Sequence, residues 1–144
     1  MKGATMGHVM VKAKVENIFD WAKAHETKGK KKPRIRTVII PDAMVDTGAT
    51  SLCLPARMVK KLGLIPYPEE VKAQSANGPI TCKMYRGALL TINGRTEECA
   101  VMELPDSAPA LIGVIPLEGL DFVVDPIEQK LVGKHGRQRV TLLY

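Results

Sequence analysis

Two Asn-Gly pairs, Asn77-Gly78 and Asn93-Gly94, each lie between segments able to form strands. Asn and Gly tolerate the positive φ angles of the tightest hairpin turns, so each pair predicts antiparallel strands joined at that point. The middle third of the chain therefore reads as β-hairpins. Upstream, Val9, Val11, Ala13 and Val15 alternate with polar neighbours and Met10, the period of a half-buried strand beginning at His8. Asn17 is placed to cap a short helix through Ile18, Phe19, Trp21 and Ala22, with Trp21 as a packing residue. A basic loop over residues 23–35 then leads into a strand from Arg36 to Val45, and Pro41-Asp42 within it predicts a turn or bulge. Pro55 opens and Gly63 closes a second short helix with Met58, Val59 and Leu62 on its apolar face. Leu64 to Pro68 is extended; Asp121 to Val124 and Lys130 to Val132 flank Asp125-Pro126 as a further hairpin, and Val140 to Leu143 reads as a closing strand. The pattern is all-β, a small barrel or sandwich with one or two short helices.

At 144 residues the chain reads as one domain, residues 1–144, large enough for a real core but small for two catalytic lobes. Its 45% hydrophobic content is globular, and no apolar run approaches the length that crosses a bilayer, so a soluble protein without a membrane partner is expected. The N-terminal Met1 to His8 lacks the apolar segment of a secretory signal, which places the protein in the cytoplasm. Cys53, Cys82 and Cys99 are an odd set without CxxC spacing, which argues for reduced, mostly buried thiols over a disulfide framework or zinc site. His8, His25 and His135 are scattered and read as surface positions, so neither metal nor other cofactor is expected. The net charge of +6 is concentrated in Lys28 to Arg36 and in Lys134 to Arg139. No aromatics interleave with the lysines, so both runs read as solvated surface segments, and nucleic acid is not the expected partner.

One stretch carries chemistry. Asp46-Thr47-Gly48-Ala49-Thr50 follows the apolar runs Val38 to Ile40 and Ala43 to Val45. A carboxylate at the end of a buried strand is costly unless hydrogen-bonded, so an Asp there, followed by a hydroxyl and a glycine, suggests a group held ready for use. Gly48 lets the backbone approach closely, and the combination suits a carboxylate that activates water. Asp20, Asp42, Asp106, Asp121 and Asp125 have no Thr/Ser-Gly after them, and Pro126 marks Asp125 as a turn residue.

In this loop and its context the chain resembles the retropepsin-like (retroviral-type) aspartic proteases, particularly their small bacterial members. A second element agrees: Ala110-Leu111-Ile112-Gly113 matches the apolar-apolar-Gly segment beside the catalytic loop in that family, with the family's short helix following at Pro116 to Leu120. The resemblance covers roughly Arg36 to Val132 and implies a closed β-barrel of the acid protease fold, one lobe per chain. It implies that Asp46, Thr47 and Gly48 are catalytic, with Thr47 hydroxyls locking two loops together across a homodimer. Ala49, Leu111 and Ile112 would support the substrate site, and the hairpin at Ala76, Asn77 and Gly78 would be a flap closing over an extended polypeptide.

Aspartic peptidases need two carboxylates sharing a proton, one to accept a proton from water and one to donate to the carbonyl. The chain offers one such loop, and an isologous dimer supplies the second because it places the same residue of both chains at one axis. The expected function is an aspartic endopeptidase acting through two Asp46 carboxylates. The alternatives are a non-catalytic peptide-binding or dimerisation barrel and, behind it, a basic nucleic-acid-binding β-barrel.

Overall fold

A computed structural model describes residues 8–29, 31–141 and 143. In chain order the elements are β1 (Val9–Asn17), α1 (Ile18–Glu26), β2 (Thr37–Val45), β3 (Leu52–Pro55), α2 (Ala56–Leu62), β4 (Ile65–Pro66), β5 (Val71–Ser75), β6 (Gly78–Cys82), β7 (Met84–Ile92), β8 (Arg95–Leu104), β9 (Leu111–Ile112), α3 (Val114–Gly119), β10 (Phe122–Asp125) and β11 (Lys130–Gly133). Strands pair in the order β1-β2-β9-β3-β8-β7, and β7 pairs back onto β1 to close the barrel. Closure leaves no free edge in the six-stranded ring itself. β4 adds to β7 outside the ring, while β5-β6 and β10-β11 are separate two-stranded ribbons. The all-β closed barrel is as expected; three short helices accompany it instead of one or two.

The interior is aliphatic. Val15, Leu52, Leu54, Leu62, Leu90, Ile92, Val101, Ile112 and Leu120 are all almost fully withdrawn from water. Each such side chain contributes roughly 1.5–3 kcal/mol relative to an exposed one. Alternation puts these residues inside because successive strand side chains face opposite ways. At Pro41-Asp42 the ladder between β1 and β2 slips: Val11 pairs with Ala43 but Ala13 pairs with Ile40. The expected interruption is thus a bulge within one continuous strand.

The buried Asn17 joins two helices. Its side-chain oxygen accepts from the backbone N–H groups of Phe19 (2.9 Å) and Asp20 (3.0 Å), capping α1. Its amide donates to the Leu62 carbonyl at 2.9 Å, where α2 ends. Gly63 closes that helix with φ +61°, the left-handed geometry that suits a residue without a side chain. Trp21 does not enter the core; it is 38% exposed and stacks on His25 at 4.0 Å between ring centroids.

Two sequence expectations shift. The basic loop begins at Thr27, because α1 persists to Glu26 and swallows residues 23–26. Its last residue is tethered: the Arg36 guanidinium donates to both Asp20 oxygens, at 2.7 and 3.0 Å, and holds that carboxyl below its ordinary value. Val140, Thr141 and Leu143 form no strand. The Val140 N–H is taken by the Asp121 carboxylate at 2.9 Å, and Arg139 donates to the carbonyls of Gly119 and Thr96, so the chain is pinned by side chains and has no ladder to join. Lys30, Leu142 and the N-terminal Met1 to Gly7 lie outside the described residues. Among the described residues, no helix is long and apolar enough to cross a membrane.

Candidate active site

β2 runs through the barrel wall and ends at the buried Val45, so the next residue, Asp46, emerges at the rim. The loop that follows is shaped by backbone bonds. Asp46 donates its N–H to the Ile112 carbonyl at 3.0 Å, and Ala49 donates to the Asp46 carbonyl at 3.0 Å. The Gly48 N–H donates to Asp46 Oδ1 at 2.9 Å, orienting the carboxylate. A Cβ on residue 48 would sit 3.2 Å from that oxygen, tighter than ordinary contact, which explains the glycine.

Behind the loop, β9 is inserted between two strands. It pairs parallel to β2 (Met44 with Leu111, Val45 with Ile112) and antiparallel to β3 (Leu52 with Ile112, Cys53 with Leu111). The chain leaving β9 continues the grip: Gly113 donates to the Ser51 carbonyl at 3.0 Å, Val114 to Ala49 at 2.9 Å and Ile115 to Thr50 at 3.0 Å. At Gly113 a Cβ would lie 2.5 Å from the Ser51 oxygen and 2.7 Å from the Ala49 oxygen, both backbone atoms with nowhere to move. The Leu111 to Gly113 element is therefore the clamp of the Asp46 loop.

In front of the loop lies a groove of about 670 Å³, walled by the Asp46 loop on one side and the β5-β6 hairpin on the other. Asp46, Gly48 and Ala49 open onto it, as do Ala76 and Leu111. Other expected site residues fall elsewhere. Ile112 is fully buried in the barrel, since its side chain points opposite to that of Leu111. Asn77 and Gly78 do not line the groove. The turn is centred one residue early, on Ala76-Asn77, because the positive φ falls on Gly78 (+102°) and not on Asn77. Ser75 Oγ holds that turn by donating to the Gly78 carbonyl at 2.6 Å. By contrast Asn93 and Gly94 are both at positive φ (48° and 82°), the geometry the dipeptide predicts.

Thr47 also leaves the groove. It lines a second cavity of about 560 Å³, together with Val114, Leu117, Val123, Val140 and the Asp121–His135 pair. Asp121 is buried, and its two oxygens lie 3.0 and 2.9 Å from His135 Nδ1. The hydrogen bond from His135, with that from the Val140 N–H, holds the Asp121 carboxyl below its ordinary value. His135 is a surface residue as expected, but it serves a buried carboxylate.

Sequence reading missed most of the apolar wall of the groove, which is built from Cys53, Ile80, Met102 and Leu104. The available signal was the period of two: Val101 faces the barrel interior, so Met102 and Leu104, one and three residues on, both face away from it. Burial pushes the Cys53 thiol up to about 11, so it is neutral near pH 7 and acts as wall, not nucleophile.

A closed barrel of six strands with an Asp-Thr-Gly loop at its rim, gripped by an inserted apolar-apolar-Gly strand, is the lobe of a retropepsin-like acid protease. The sequence profile of the aspartyl protease family matches residues 36–115, more than half of the 144 residues, and the chain belongs to that family. The matched span contains the Asp46 loop, the hairpin and the Gly113 clamp. No curated protein matches the chain in sequence.

Proposed function

We propose that the chain is an aspartic endopeptidase that acts as a homodimer. Two copies meet about a twofold axis beside the Asp46 loops, and the two Asp46 carboxylates share one proton, because paired like charges do not both ionise cheaply. The ionised partner accepts a proton from a bound water as that water attacks the scissile carbonyl carbon. The protonated partner donates to the carbonyl oxygen. The tetrahedral intermediate collapses as the amine leaves with a proton, restoring the shared state.

The observation that carries this reading is the state of the Asp46 side chain. Its carboxylate is half-buried, has one hydrogen bond among the described residues, from Gly48, and opens onto a groove beneath a hairpin. The β5-β6 ribbon stands apart from the barrel sheet, so its backbone is available to pair with an extended peptide. Thr47 lines the second cavity and not the groove, and in this proposal its hydroxyl serves the contact between copies instead of contact with substrate. Cytoplasmic residence and a single catalytic domain over residues 1–144 belong to the same proposal, supported by the three free thiols.

The experiment is incubation of the purified protein with an unfolded polypeptide from mid-acid to neutral pH, beside the Asp46→Asn variant, with sedimentation of both. Wild type cleaves, the variant does not, and both sediment as dimers. Undiminished cleavage by Asp46→Asn, or cleavage by a protein that stays monomeric, rules the mechanism out.

A further inference from the structure

Of the residues that line the groove, only Asp46 and Lys72 carry a formal charge. Lys72 lies on β5, paired with Thr81 near the base of the hairpin, away from the Ala76-Asn77 tip. Among the described residues it has no ion-pair partner. Glu70 and Lys83, which flank the ribbon in sequence, line a neighbouring cavity together with Glu103 and do not line the groove. Around Lys72 the groove is otherwise apolar or neutral, with Ile80, Met102, Leu104 and Gln74 on its walls.

Lys72 is exposed, and an ammonium at the edge of a peptide groove attracts a substrate carboxylate and repels a substrate cation. Asp46 has the opposite effect near the scissile bond. The two charges therefore divide the groove: the site of cleavage disfavours acidic side chains, and the hairpin base favours them. We infer that the protease selects polypeptides carrying an Asp or Glu side chain a short distance from the scissile bond, recognised by Lys72 at the base of the flap. This rests on the endopeptidase reading above and adds a substrate class to it.

The test uses one randomised peptide library in two arms: cleavage by wild type, read by mass spectrometry, and capture by the non-cleaving Asp46→Asn protein. Acidic residues are expected to be enriched at one position by up to about fivefold in both arms, the size of an exposed charge pair, and less at 0.5 M than at 0.05 M salt. In the Lys72→Met background that enrichment falls to about unity, and in Lys72→Glu it turns toward Lys and Arg. Acidic enrichment in capture without any cleavage leaves the Lys72 inference standing and removes the endopeptidase reading. No acidic enrichment, or enrichment that survives Lys72→Met in a variant with wild-type thermal midpoint, overturns the inference.

Discussion

Asp46 and Asp121 are aspartates in opposite circumstances. Asp121 is buried at the start of the β10-β11 ribbon, accepts from His135 and the Val140 N–H, and has its own backbone carbonyl bonded by Arg95 at 2.8 Å. Asp46 sits at the rim with one donor and an open face. The better-satisfied carboxylate is committed to structure, because each donor that stabilises it also fixes a segment of chain. The under-satisfied one has lone pairs to spare for a water or a partner carboxylate. Hydrogen-bond saturation separates the two roles better than burial does.

The largest test of that contrast is a matched pair of substitutions. Asp46→Asn is expected to lower turnover by about a thousandfold or more, with an unchanged thermal midpoint, because it removes a proton acceptor and leaves the packing intact. Asp121→Asn is expected to do the reverse, lowering the thermal midpoint while the folded protein still cleaves. Peptide turnover and thermal denaturation on both variants decide the matter; a reversed pattern breaks the comparison.

Gly113→Ala is expected to cost about 3 kcal/mol, since its methyl group would be driven into the backbone of the Asp46 loop. Chemical denaturation measures this, and a cost under about 1 kcal/mol would show that the loop gives way more easily than its hydrogen bonds imply. Asn17→Ala is expected to cost about 2 kcal/mol through the lost cap of α1 and the orphaned carbonyl at the end of α2. Asn17 does not line the groove, so the turnover of folded protein sharpens the division by staying constant.

The smallest effect is in pH. His135, with the Val140 N–H, lowers the Asp121 carboxyl in the folded state relative to its ordinary value of 3.8. The unfolded chain therefore binds the proton more readily, so this contribution is complete above the ordinary value and is lost as pH falls through the folded-state value. The thermal midpoint of Asp121→Asn should accordingly fall less steeply below about pH 4 than that of wild type.

Local chemistry was the legible part of the sequence. The Asp46 loop, the helix from Pro55 to Gly63, the Asn17 cap and the Asn93-Gly94 turn each announce themselves within a few residues, because turn and cap preferences are short-range. The Asn77-Gly78 pair shows the limit: the same two residues centred their turn one position early once Ser75 could bond across it. What the groove is lined with depended on register between strands far apart in sequence, such as Cys53 beside Met102. Nothing near Val140 foretold that its N–H would be claimed by Asp121, so the expected terminal strand was lost to a contact that no local pattern encodes.

The strand inserted between β2 and β3 also sets a timetable. The loop that holds Asp46 takes its shape from Ile112, Gly113, Val114 and Ile115. On a ribosome, a growing polypeptide that has emerged only through β8 still lacks that brace, and its acidic residue hangs on an unfinished turn. The geometry of the Asp46 loop is thereby completed only after most of the chain has been made.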